Sequence, residues 1–278
     1  MKHLKKNQIS VMNIQYKYFP LTMFLDDAVR NNVENIELWG AAPHFYLDDM
    51  TYQDVTAVRR EIEKRNLRLV CYTPEQCVYP INIAAPHKET RRRSVKFFED
   101  SIRVAGELGT DKVLVTSGTG YFDGSDEQEA WKWSRENLYS LGELAEHYGV
   151  TLALEVLRHD ESNLVYNLPT LQKMLKELNH CAIGGMIDTI PMALAGEHPA
   201  QYLEALGDRL VHVHFIDGAP RGHLAWGDGV LDMNAYLSEF DEYGYSGFLS
   251  LEITDGRYFM NPSASVEQSV RNLFRAME

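Results

Sequence analysis

Four ionisable side chains stand near the ends of four successive apolar runs: Glu155 in LALEVL, Asp188 in GGMIDT, His214 in VHVHFID and Glu252 in LSLEIT. A buried carboxylate is costly unless it is paired or bound to a cation. Three that converge also repel one another and raise each other's pKa, and a divalent cation relieves both costs. Taken alone, each of the four reads as a satisfied core polar group or a strand-end cap; their recurrence on four consecutive runs argues for one shared site. Three oxygens and one imidazole nitrogen suit Mn²⁺ first, with Mg²⁺, Co²⁺ or Zn²⁺ as alternatives. The three cysteines, Cys71, Cys77 and Cys181, match no zinc spacing, which argues against a structural zinc. His212 lies two positions from His214 and shares its face, because strand side chains alternate faces. It points the way His214 points but one layer deeper, so we expect it either to pack in the core or to support the site from behind.

These residues need a frame that brings strand ends together. Eight strand-like runs fall at 8–13, 35–40, 67–73, 112–118, 151–157, 183–189, 210–217 and 247–254, and helical stretches such as 51–66, 126–149 and 167–179 lie between them. The helical stretches rest on apolar recurrence at three and four residues. Gly109 and Gly149 follow helical patterns and read as C-terminal caps. Eight strands alternating with helices over this length predict an α/β protein, a (β/α)8 barrel forming one domain over residues 1–278. A doubly wound open sheet is the alternative, but no GxGxxG follows the first strand. In such barrels the active site sits at the C-terminal ends of the strands, where all four candidate ligands fall.

Bulk properties narrow the partners. A formal net charge of −13 argues against a nucleic-acid backbone or an anionic membrane as the main partner. The basic run Arg91, Arg92 and Arg93 lies in a helical pattern and reads as a solvated face. MKHLKKNQIS lacks the apolar core of a signal peptide, and unpatterned cysteines suit a reducing compartment. We therefore expect a cytoplasmic protein with a small-molecule partner; the sequence leaves a homo-oligomer open.

The residues around Glu155, Asp188, His214 and Glu252, in EVLRHDE, MIDT, HVHF and LEIT, resemble the metal motif of the sugar isomerase/epimerase superfamily, the xylose-isomerase-like barrels. Their separations look like those of the ketose 3-epimerases. IELWGAAPH (36–44), YTPEQCVYPIN (72–82) and HLAWGDG (223–229) look most like the fructoselysine 3-epimerases. The resemblance implies a metal that holds the carbonyl and hydroxyl oxygens of a ketose and stabilises an enediolate. It implies that Glu155 and Glu252 remove and return one carbon-bound proton across the plane. Glu161 is similar to a substrate-binding glutamate of the tagatose-type enzymes. Pro191 and Pro220 depart from that group, which has a histidine and an arginine there, although Arg221 is adjacent. These departures count against a free hexulose as substrate. His44 and Trp39 at the end of the second strand, and His223 before WGDG, are further candidates for substrate contact. Trp39 reads equally as a cover for the barrel mouth, and His44 as a loop histidine.

The rivals are an aldose–ketose isomerase of the hydroxypyruvate isomerase kind, a sugar or inositol dehydratase and a non-catalytic carbohydrate-binding barrel. DNA-repair endonucleases on this barrel need more strand-end histidines and a basic face, and this chain has neither.

Overall fold

A computed structural model describes residues 1–76 and 81–278. Cys77, and with it part of the 72–82 motif, lies outside the described residues. Eight parallel strands close into a barrel in sequence order: β1 (Ile9–Met12), β2 (Asn35–Gly40), β3 (Arg68–Pro74), β4 (Lys112–Val115), β5 (Thr151–Glu155), β6 (Ile183–Asp188), β7 (Leu210–His214) and β8 (Leu249–Leu251). All eight fall inside or within a residue of the expected runs. β8 is shorter than its run, because the chain leaves the sheet just before Glu252.

The outer layer holds α1 (Leu21–Arg30), α2 (Tyr52–Glu63), α3 (Lys88–Leu108), α4 (Glu127–Tyr148), α5 (Leu168–Leu178), α6 (Thr189–Leu194), α7 (Pro199–Leu206), α8 (Met233–Glu242) and α9 (Pro262–Ala276). Thr51 and Asn167 cap α2 and α5 by accepting from the backbone N–H three residues on. Gly109 and Gly149 end α3 and α4 in the left-handed region, at φ 89° and 66°. That is where glycine carries no Cβ penalty.

The main apolar core lies between strands and helices, with Ile36, Leu38, Val113, Leu152, Ile187 and Val213 facing outward from the sheet. A smaller cluster of Cys71, Leu114, Ala153 and Met186 fills the barrel interior. The register sets Met186 beside His212, and Asp188 beside His214. The interior is therefore largely apolar at one level, where His212 is the exception, and ionisable at the next, toward the C-terminal ends of the strands.

The β7–α8 connection is long for a barrel loop and rigidly built. The Asp217 carboxylate accepts from the backbone N–H of Gly218 (2.8 Å), Gly227 (3.0 Å), Gly229 (2.8 Å) and Leu231 (3.1 Å). A Cβ at Gly229 would collide with that carboxylate. Trp226 is buried and donates from Nε1 to the Phe215 carbonyl at 2.9 Å. The His223 carbonyl accepts from Thr254 N–H (3.1 Å), which ties the loop to the end of β8. Rigidity here matters because His223 reaches into the barrel mouth.

Candidate active site

Glu155 and Asp188 are the last residues of β5 and β6, His214 ends β7, and Glu252 directly follows β8. Their donor atoms all lie within 4.8 Å of one another. His214 Nδ1 is 3.0 Å from Glu155 Oε1 and 3.1 Å from Glu252 Oε2. It is aligned with neither as a hydrogen-bond donor, so it remains a buried nitrogen with no hydrogen-bond partner. One oxygen of Asp188 caps α6 by accepting from Ile190 N–H at 2.8 Å; the other is 3.2 Å from His223 Nε2. His223 Nδ1 is 3.0 Å from Glu252 Oε2. Three carboxylates and an unpartnered imidazole nitrogen in one shell form a donor set that fits a hard or borderline divalent cation.

The electrostatics show the strain of this packing. Burial pushes the Glu155 carboxyl up, and the Glu252 and Asp188 charges add to the shift against the opposing pull of His214. Burial acts on Glu252 in the same sense, but the His214 and His223 charges outweigh it and hold this carboxyl low. Burial would lower both histidines; the surrounding carboxylates reverse it and raise them well above the ordinary range. A site that polarises its own groups this far is a candidate functional site on physical grounds.

Above the cluster opens a cavity of about 250 Å³, whose wall includes Trp39, Glu75, Arg158, Glu161, Asp188 and His223. The Trp39 indole donates to Glu75 Oε2 at 2.6 Å. Glu161 holds Arg158 by an ion pair of 2.7 Å and accepts from its backbone N–H at 3.2 Å. Burial raises the Glu161 carboxyl. Trp39, Glu161 and His223 thus all line the cavity. Two other candidates do not line this cavity. His44 is buried, with Nδ1 2.9 Å from Asn13 Nδ2 and Nε2 2.7 Å from the Phe19 carbonyl oxygen, so both ring nitrogens are engaged by the fold. Arg221 is exposed and pairs with Asp160 at 2.7 Å, on the outer rim.

One residue central to the site went unread in the sequence. Glu37 of β2 is fully buried and faces both histidines: Oε2 is 2.8 Å from His212 Nε2, and Oε1 is 3.1 Å from His214 Nε2. The Thr73 hydroxyl donates to Oε1 as well. Burial opposes its charge, but the two imidazoles overcome that and hold the carboxyl well below the usual range. The signal was available in NIELWG, an acidic residue inside an apolar strand, the same feature that marks Glu155. Arg158 and Glu75, which also line the cavity, are ordinary loop residues by type and carry no such signal.

The chain matches the family model of the xylose isomerase-like TIM barrel over residues 25–276, and it belongs to that family. Among curated proteins it is 27% identical to the fructoselysine 3-epimerase of Shigella flexneri, over 94% of this chain and 95% of the relative. It is 22% identical to an inosose dehydratase of Clostridium beijerinckii, over 76% of this chain and 77% of the relative. In fold it is similar to the D-psicose 3-epimerase of Clostridium cellulolyticum H10 (TM-score 0.80, 15% identity, 96% of this chain and 98% of the other). An L-ribulose 3-epimerase gives the same score at 19% identity, over 96% of this chain and 93% of the other.

Proposed function

We propose that residues 1–278 form one catalytic unit, a metal-dependent sugar epimerase that inverts carbon 3 of a ketose or of a fructosamine of the fructoselysine type. The observation that carries this reading is the pair of carboxylates, Glu155 and Glu252, brought by β5 and β8 to the floor of one cavity within a shared donor shell. A divalent cation, Mn²⁺ in first place, held by Glu155, Asp188, His214 and Glu252, would supply Lewis-acid polarisation of the substrate carbonyl. Glu155 and Glu252 are the acid–base pair: one takes the proton from the substrate carbon, and the other delivers a proton to the opposite face, which inverts the centre. Trp39 offers an apolar face to the sugar, and Glu161 and His223 offer polar contacts to its hydroxyls. Arg221 acts at most from the rim. The described cysteines, Cys71 and Cys181, are free, which suits a reducing, cytoplasmic setting, and among the described residues no helix is long and apolar enough to cross a membrane.

The inosose dehydratase relative favours a second reading, loss of a β-hydroxyl after the same proton abstraction. Incubation with ketoses and fructosamines in D₂O, followed by NMR, separates the two. Deuterium at carbon 3 of a product that is still a ketose supports the epimerase. A dehydrated dicarbonyl product moves the assignment to the dehydratase, and an aldose moves it to an aldose–ketose isomerase.

A further inference from the structure

The geometry points to Glu37 as the residue that makes His214 a metal ligand. We propose that this carboxylate, from the opposite half of the barrel, selects the His214 tautomer and fixes the ring so that the Nδ1 lone pair faces Glu155, Asp188 and Glu252. The inference rests on the metal-centre part of the reading above and is independent of the substrate.

The hydrogens around Glu37 decide the tautomer. An ionised carboxylate only accepts. Glu37 faces three groups: the Thr73 hydroxyl and His214 Nε2 at Oε1, and His212 Nε2 at Oε2. Each must therefore donate, so both histidines carry hydrogen on Nε2. A neutral His214 with Nε2–H has its lone pair on Nδ1, the atom 3.0 Å from Glu155 and 3.1 Å from Glu252. The opposite tautomer would set an Nε2 lone pair against a carboxylate oxygen and turn an N–H toward the site, closing it to a cation. A carboxylate behind a ligating imidazole also raises the basicity of the ligating nitrogen.

His212 has its place in this arrangement. It is fully buried, and its Nδ1 has no hydrogen-bond partner. A buried acceptor left without a donor is costly. A core histidine that only packed would not keep such a cost; one that holds the far oxygen of Glu37 has a reason to. The three side chains are also close enough to hold an ion among themselves. Such an ion would need Nε2 lone pairs on both histidines, reverse the His214 tautomer and disable the cluster above. One site therefore excludes the other, and the acidic, cavity-facing one is favoured.

The test uses the full chain and Mn²⁺ as probe, with affinity read by electron paramagnetic resonance and bound ions counted by elemental analysis. Wild-type protein is expected to bind one ion per chain. Glu37→Gln puts an NH2 donor where one carboxylate oxygen stood, so the histidine facing it loses its acceptor, the set of contacts that fixes His214 is broken, and Mn²⁺ affinity is expected to fall roughly 10–100-fold. His212→Phe, which leaves Glu37 two of its donors, is expected to lose less and serves if Glu37→Gln fails to fold. Its rescue by His212→Gln, whose amide N–H can donate to Glu37, marks positioning rather than bulk packing. Long-range ¹H–¹⁵N spectra of the Zn²⁺-loaded wild type are expected to show His214 protonated at Nε2. Folded Glu37→Gln with unchanged Mn²⁺ affinity, a His214 ring bound through Nε2, or two ions per chain would each overturn the proposal. If the wild type takes up no divalent ion, the metal centre falls with it. If it binds the ion but turns over no ketose, only the substrate reading falls.

Discussion

The two halves of the barrel carry different parts of the site. Strands β5 to β8 end in Glu155, Asp188, His214 and Glu252, and every donor atom of the proposed metal shell comes from them. Strands β1 to β4 bring no such atom. They contribute Glu37 and Thr73 behind the imidazole and Trp39 in the cavity wall, with Glu75 just past the end of β3. The proposed chemistry is thus concentrated in one half, and the groups proposed to orient it come from the other. A closed barrel permits this division because β1 pairs with both β2 and β8, so that residues as far apart in sequence as Glu37 and His214 meet inside it.

The sharpest way to break the contrast is His214→Ala. It removes the only nitrogen donor of the cluster, so bound Mn²⁺ and turnover should both vanish while the circular dichroism spectrum is kept. Retention of a full metal complement would show that the ligand set is wrong. Next in size are Glu155→Gln and Glu252→Gln. Loss of a positioned acid or base costs about 10²–10⁴-fold in rate. Each variant should lose epimerisation while the carboxylate that remains still exchanges one substrate hydrogen with D₂O. The two should exchange different epimers, and identical behaviour would argue against a two-sided pair.

His44 tests the other half. Its ring bridges Asn13 and the Phe19 carbonyl behind the cavity wall. His44→Ala should lower stability by about 1–3 kcal/mol, the cost of leaving those buried groups unpaired, with KM nearly unchanged. A KM effect of tenfold or more at unchanged stability would return His44 to the substrate site.

The smallest effect is expected where the N-terminal segment meets α8. The Asp241 carboxylate, at the end of α8, accepts from the backbone N–H of Lys2 (3.0 Å), His3 (2.7 Å) and Leu4 (2.7 Å). The Leu4 and Lys2 bonds in particular hold its pKa down at about 2. A folded-state value below the unfolded one, about 3.9, contributes stability that is present above that unfolded value and lost as pH falls through about 2. Asp241→Asn should therefore lower Tm slightly at neutral pH, and the gap to wild type should close between about pH 4 and pH 2. A constant gap across that window would assign the effect to something other than this carboxylate's charge.

The cluster of Glu155, Asp188, His214 and Glu252 was legible in the sequence because an acidic or imidazole group inside an apolar strand is conspicuous, and here it recurs on four consecutive strands. The eight-strand alternation and the glycine caps of α3 and α4 were legible as local patterns, and the (β/α)8 architecture follows from them. Glu37 has the same local signature in NIELWG, but it stands alone in its half of the chain. Its meaning depends on a contact with His212 and His214 across the barrel interior. No local pattern reports which nitrogen of an imidazole meets a carboxylate from a distant strand. His44 and Arg221 were read from their place in loops, and loop position does not say whether a side chain turns into the cavity, behind its wall or out to the rim. Strand periodicity by itself determined the barrel and the residues that crowd its mouth. Closure of the sheet alone decided which of them share hydrogens, because those contacts join strands that sequence order keeps far apart.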